Sequence, residues 1–248
     1  MELVAAIGRV GAFAGSVVVR LPHPAWRSSD LARHVLTVTG RCFGPVVAVT
    51  LPFGMVIALQ GLEIFAIYGA ERMLASLVCV AVLRELSPVL ACVLVAAQGG
   101  SAFAAELGAM RVREELDATE IMAVDGIACH VVPRLLALVI ACPILNIAGT
   151  AAGIAGALFT ATVMKGERAG IFLAELWSFA TPADVWGGVV KTLVFGLIIG
   201  CTATYLGFHA SGGSAGVGRA VNQTVVRSAV CFVVANYFLT SALFGILG

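Results

Sequence analysis

Among residue types able to do covalent chemistry, one serine stands in a suggestive pattern. Gly212-Gly213-Ser214-Ala215-Gly216 matches G-x-S-x-G, the elbow that lifts a nucleophile between a strand and a helix. The residues before Gly212 belong to an apolar run rather than a strand, and of the possible partners only His209 is near. The segment therefore reads as a flexible turn before Arg219. The four histidines, His23, His34, His130 and His209, show no HxxxH or HExxH spacing, so no metal site is indicated. The seven cysteines include no CxxC pair and are an odd number, which fits small apolar residues better than a zinc ribbon or a disulfide frame. No G-x-x-x-x-G-K-[ST] loop occurs. The expectation is a protein without a catalytic residue or a bound cofactor; ATP and Mg, if used, bind to another chain.

What remains is a small set of polar side chains in a very apolar chain. Hydrophobic residues make up 60% of it and charged ones 12%, against about 25% charged in soluble domains, and the mean hydropathy is +1.02. A soluble globule is excluded on that ground. The balance of 15 basic and 14 acidic residues supplies no field for a polyanion, so nucleic acid is a poor partner. Gln60 and Glu63 close one apolar run, and Arg84, Glu85, Ser87 and Pro88 open the next. Ionisable groups at membrane depth are costly and face a wet or polar interior. Two readings stay open: Arg84 as a headgroup ligand at the mouth of a lipid cavity, or Arg84 and Glu85 neutralising one another at headgroup level. A second cluster, Glu106–Asp125, crowds Arg111, Arg113, Glu114, Glu115, Asp117 and Glu120 into ten residues. Val112, Leu116, Thr119 and Met122 recur at helical steps through it, which predicts an amphipathic helix able to dock on a soluble domain.

These groups must be positioned by helices long enough to cross roughly 30 Å of hydrocarbon, about 20 residues each. Five stretches free of Asp, Glu, Lys and Arg qualify: Cys42–Leu62, Leu86–Ala105, Leu135–Met164, Thr192–Gly218 and Ser228–Gly248. Met73–Leu83 is too short to cross and reads as an interfacial helix or a lead-in to the second span. Of the fifteen basic residues, ten fall on the side of the N-terminus and five on the other, which puts the N-terminus in the cytoplasm and the C-terminus outside. Before the first span, Leu3, Ile7, Val10, Ala14, Val17 and Leu21 form an apolar stripe opposite Glu2, Arg9 and Ser16, the pattern of an interfacial helix. Pro22 and Pro24 end it, and Ser28-Ser29-Asp30 offer N-caps for the next helix. Met1-Glu2-Leu3 lacks the basic start of a signal peptide, so this end is expected to stay on the mature protein. Gly149 with Gly153, and Gly196 with Gly200, let helix backbones approach, either inside one copy or at a dimer seam. Pro45, Pro52 and Pro143 predict bent helices that can line a cavity. The fold expected is all-α: an interfacial region over 1–39, then a membrane domain over 40–248 with five spans and a short cytoplasmic helix between spans two and three.

Several ordered stretches resemble the MlaE/YrbE permease family of MCE (mammalian cell entry) lipid-transport systems. Leu83-Arg84-Glu85-Leu86-Ser87-Pro88-Val89 is close to the family's L-R-E-L-G-P-V. Ala104-Ala105-Glu106-Leu107-Gly108-Ala109-Met110 runs into Glu114-Glu115-Leu116-Asp117-Ala118 and Met122-Ala123-Val124-Asp125, and then Val131-Val132-Pro133-Arg134 follows. Ser214-Ala215-Gly216-Val217-Gly218-Arg219-Ala220 is similar to the turn S-A-G-[IV]-x-R-A. The likeness covers roughly 40–248. It implies a multi-pass permease subunit of an ABC transporter in a bacterial cytoplasmic membrane, paired with a second permease, either a copy or an unlike YrbE paralogue. It further implies a cytoplasmic ABC ATPase dimer, MCE-domain proteins outside and a lipid substrate. Glu106, Arg111, Arg113, Glu114, Glu115, Asp117 and Glu120 would contact the ATPase, and Gln60, Glu63, Arg84 and Glu85 would line the outer lipid cavity. Where the family commonly carries Arg in an A-G-R-x-G-S run, this chain has Gln98, and Gly126 stands where Pro is usual. ATP-independent lipid transport and a non-transporting scaffold are the competing readings.

Overall fold

The computed structural model describes residues 11, 13, 15–17, 19–20, 28–70, 73–166 and 168–245. The expectations for 1–10, Ala14, Leu21, Pro22, Pro24 and Arg72 lie outside them. The described residues between 11 and 20 are helical. Five helices are long and apolar enough to cross a membrane: α1 (Ser28–Ile67), α2 (Leu74–Val112), α4 (Ile127–Met164), α6 (Pro182–Phe208) and α7 (Gly213–Phe244). Between them lie the short α3 (Glu115–Ile121) and α5 (Ala169–Phe179), and no strand occurs among the described residues.

All five helices differ at one end or both from the charge-free runs, because a helix need not stop where its charges begin. Asp30, Arg33 and Arg41 lie within α1 and Arg84 and Glu85 within α2, while Met73–Leu83 proves to be the lead-in to the second span. The fourth span ends at Phe208 rather than Gly218, and the fifth starts at Gly213 rather than Ser228. Arg219 and Arg227, counted as a connecting segment by their charge, are helical. The turn shrinks to four residues, 209–212, with Gly212 and Gly213 at φ +90° and +67°, a left-handed region open to glycine at little cost. Ser214 sits in the first turn of α7 after a helix, so the strand required of a nucleophile elbow is not what precedes it.

The chain divides into two compact units. The first comprises Met1–Arg41, Val95–Ala141 and Val194–Ala235. There Phe13 and Val17, one helical turn apart, pack on Val131, Val132, Leu135 and Cys201, and Phe13 meets Tyr205 edge to face at 5.5 Å. Gly200 lies so close to Leu135 that a Cβ would come within 3.0 Å of its side chain.

The second unit comprises Cys42–Leu94, Cys142–Leu193 and Asn236–Gly248. A Cβ on Gly54 would stand 2.0 Å from the Gly153 carbonyl oxygen, and one on Gly156 2.1 Å from that of Leu51. With Gly149 against Val46 and Thr50, the small residues of α4 form a backbone contact with α1, so Gly149 and Gly153 serve internal packing. That is the expected device where lipid tails give helices no hydrophobic reason to associate. Phe172 and Leu176 of α5 are buried against Leu74, Val78 and Val82. A narrow, mostly apolar cleft is lined by Phe53, Leu86, Leu90 and Gly149, with the hydroxyls of Thr50 and Ser87 each donating to a carbonyl, Val46 and Asn146 respectively.

Candidate functional site

In the second unit Arg84 and Glu85 lie in a π-helical stretch of α2, Cys79–Leu86, a local widening often found at functional positions. They do not neutralise each other. Arg84 Nε pairs with Asp184 Oδ1 at 2.6 Å, and Asp184 Oδ2 accepts the Thr181 N–H and hydroxyl, both at 2.9 Å. Glu85 Oε1 pairs with Lys191 Nζ at 2.8 Å. Lys191 donates further to the Arg84 carbonyl and the Thr240 hydroxyl, each at 2.7 Å, so all three ammonium protons are engaged. Asn236 Nδ2 donates to Glu85 Oε2 at 2.8 Å. Because that carboxylate oxygen can only accept, the amide orientation is fixed, and Asn236 Oδ1 is buried without a partner among the described residues. The Phe244 ring lies 4.6 Å from Arg84 Cζ and 5.4 Å from Lys191 Nζ. Two cations and two carboxylates are brought together, with Lys191 fully buried and Asp184 1% exposed.

Of the side chains in this network, sequence reasoning named two, Arg84 and Glu85. Asp184 and Lys191 were missed because charged residues marked the limits of the spans, and Asn236 and Thr240 because they are uncharged and lie within the fifth run. No ionisable residue was expected at the centre of spans two to five; Lys191 and Glu85 lie inside α6 and α2 but nearer their starts, each with a partner. A usable signal existed: Asp184 and Lys191 are seven apart, two helical turns, and Asn236 and Thr240 are four apart, so each pair shares a helix face. Gln60 and Glu63 are exposed and make no hydrogen bond or ion pair among the described residues, so the structure does not join them to the network.

In the first unit the segment after α2 carries the other predicted residues. It is not one amphipathic helix over Glu106–Asp125. Residues up to Val112 belong to α2, and Glu114 adopts φ 58°, ψ 17°, turning the chain into α3. The predicted apolar edge is accordingly divided: Leu116 is buried, whereas Val112 and Met122 are exposed at 45% and 66% and Ile121 reaches 86%. Arg111 pairs with Asp117 at 2.5 Å, Arg113 with Glu115 at 3.1 Å and Arg134 with Glu106 at 3.3 Å. Glu114 and Glu120 are exposed. After α3, Asp125 Oδ1 accepts the N–H groups of Ile127 and Ala128 at 3.0 and 3.2 Å, an N-cap for α4, while Oδ2 meets Arg20 Nε at 2.5 Å. Burial raises the Asp125 pKa, but the Arg20 hydrogen bond and the two backbone donors outweigh it and hold it below the usual carboxylate value.

Neither cluster has the geometry of covalent catalysis. One is a neutralised ion network between membrane-length helices; the other is a charged, apolar-tipped connector suited to protein contact. The sequence profile of the family described as Permease MlaE matches residues 31–242. A probable ABC transporter permease protein of Rickettsia bellii is 34% identical over 98% of this chain and 94% of its own length. The intermembrane phospholipid transport system permease protein MlaE of Haemophilus influenzae is 34% identical over 77% of this chain and 74% of its own. The protein TRIGALACTOSYLDIACYLGLYCEROL 1, chloroplastic, of Arabidopsis thaliana is 31% identical over 93% of this chain and 66% of its own.

Proposed function

The chain belongs to the MlaE permease family, and from that premise we propose that it is the membrane subunit of an MCE-type ABC transporter that moves lipid, driven by ATP hydrolysis in partner chains. The observation that carries this reading is the connector: a short helix joining two membrane-length helices, with Ile121 and Met122 exposed amid paired charges. An apolar tip ringed by charge of both signs is what a membrane subunit presents to a soluble motor. On this reading Glu106, Arg111, Arg113, Glu114, Glu115, Asp117 and Glu120 face a cytoplasmic ATPase dimer, and the N-terminus is cytoplasmic in the bacterial inner membrane. A second permease copy or paralogue completes the membrane part, and MCE proteins receive or supply lipid outside.

The substrate end is proposed at Gln60, Glu63, Arg84 and Glu85, the last two adjoining Leu86 and Ser87 of the apolar cleft. Arg84 and Glu85 lie near the start of α2, and the chain leaves the end of that helix into the connector. An acyl chain kept in an apolar path avoids hydration worth ~0.8 kcal/mol per CH₂. Phospholipid is the class that the name of the Haemophilus influenzae relative suggests.

A second reading, lipid transport without ATP, draws support from Lys191 and Glu85 inside the spans. Reversing Glu114 and Glu115 to Lys separates the two in vesicles that hold the permease, its co-expressed ATPase and a fluorescent phospholipid. Loss of ATP-dependent lipid movement with normal insertion supports the motor reading. Movement that persists without ATP, or no ATPase or MCE protein co-purifying, sinks it.

A further inference from the structure

The N-terminal helix, the connector and the start of α4 meet at one ion pair, Arg20–Asp125, in the first unit. Three facts distinguish it from an incidental surface contact. Phe13, Val17 and Arg20 follow at four- and three-residue steps, so one face of the N-terminal helix carries the two apolar anchors and then the cation. Phe13 and Val17 are 8% and 2% exposed on Val131, Val132 and Leu135 of α4, which places Arg20 in a fixed register. The guanidinium is itself oriented, since Arg20 Nη1 donates to the Ser16 carbonyl at 2.9 Å while Nε meets Asp125. Asp125 is equally committed: one oxygen caps α4 and the other holds Arg20.

Both ends of α3 turn sharply. Glu114 and Ala123, on either side of α3, are the only described non-glycine residues with positive φ, so α3 is set between two sharp bends and the second leads within two residues to Asp125. A displacement of α3 therefore reaches Asp125 through a very short tether.

We propose that Asp125 and Arg20 are positioning residues: a latch that ties the N-terminal helix to the outgoing end of the connector, so that the helix follows when α3 is displaced. This rests on the motor reading for its cause, yet the latch can be tested apart from it. The two oxygens of Asp125 allow its roles to be separated. Asp125→Asn keeps an Oδ1 acceptor for the cap but presents no charge to Arg20; Arg20→Gln removes the same pair from the other side; Asp125→Ala removes pair and cap together.

The experiment is hydrogen exchange on the full chain with its co-expressed ATPase in lipid nanodiscs, beside ATP hydrolysis and transfer of a fluorescent phospholipid in phosphatidylethanolamine/phosphatidylglycerol vesicles. The expected result is exchange at least tenfold faster over 11–20 in Asp125→Asn and in Arg20→Gln, with the double variant no faster than either. Protection at the start of α4 should fall only in Asp125→Ala. Lipid moved per ATP should fall several-fold in both single variants while hydrolysis continues. Unchanged exchange over 11–20 overturns the latch, and so does faster exchange with lipid moved per ATP unaltered. If the wild-type complex moves no lipid with ATP, the motor reading fails, and the exchange pattern alone then decides the latch.

Discussion

Lys191 shows how a single side chain can be both costly and necessary. An ammonium taken out of water costs several kcal/mol, recovered only when its partners are well placed. Here a carboxylate, a carbonyl and a hydroxyl engage all three protons. Removing the cation alone leaves Glu85 with only the neutral donors Asn236 and Thr240, so Lys191→Met should destabilise the protein by about 1–3 kcal/mol. The double variant Lys191→Met/Glu85→Gln should cost clearly less, because it leaves no unpaired charge. Thermal unfolding of the detergent-solubilised protein checks both, and equal losses would show the pair is not the cause. Asp125 gives a pH prediction of definite sign. Its pKa in the folded chain lies below the ordinary 3.8, so its contribution is fully present above that value and is lost as pH falls through the lowered one. Protection of the N-terminal helix should fade with acidification through and below pH ~4, and Asp125→Asn should flatten the profile.

At the scale of elements, the connector is bounded by backbone geometry rather than by propensity. At the end of α3, Val124 N–H bonds the Thr119 carbonyl and Ala123 N–H that of Glu120, both at 3.0 Å. That is a Schellman ending with alanine at the left-handed position. Left-handed φ costs a residue with Cβ roughly 1–2 kcal/mol, so Ala123→Gly should stabilise the segment by up to about 1 kcal/mol, read as slower exchange in α3. Ala123→Val should do the reverse. Helix contact gives a sharper pair of outcomes. Gly54→Ala drives a methyl into the Gly153 carbonyl and should destabilise by about 1–3 kcal/mol or prevent folding. Gly40→Ala, in the same helix with nothing within 4 Å, should cost nothing and can gain from alanine's better helix propensity. Equal melting temperatures for the two would refute the close approach of α1 and α4.

For the whole molecule, five apolar helices in one chain were legible before any coordinate, because hydrocarbon thickness sets a length and a polarity that composition must meet. The resemblance carried in Leu83–Val89, Ala104–Asp125 and Ser214–Ala220 was equally plain in the residues, since ordered motifs need no geometry to be read. Boundaries were not legible. Charge was used to mark ends, yet Arg84, Glu85 and Lys191 stay inside helices, and Arg219 and Arg227 inside α7, because pairing and helix length relieve the cost that charge alone would impose. The single helix expected over Glu106–Asp125 failed at Glu114, a good helix former that adopts a left-handed turn here while Leu116 beyond it is buried. Sequence alone thus determined the class, the number of spans and which residues are expensive, all of which follow from one-dimensional transfer costs. Only the tertiary structure decided that Arg84 answers to Asp184 and Glu85 to Lys191, and that Arg20 meets Asp125. These are pairings 100, 106 and 105 residues apart, and the choice among possible partners lies in the packing of helices against one another.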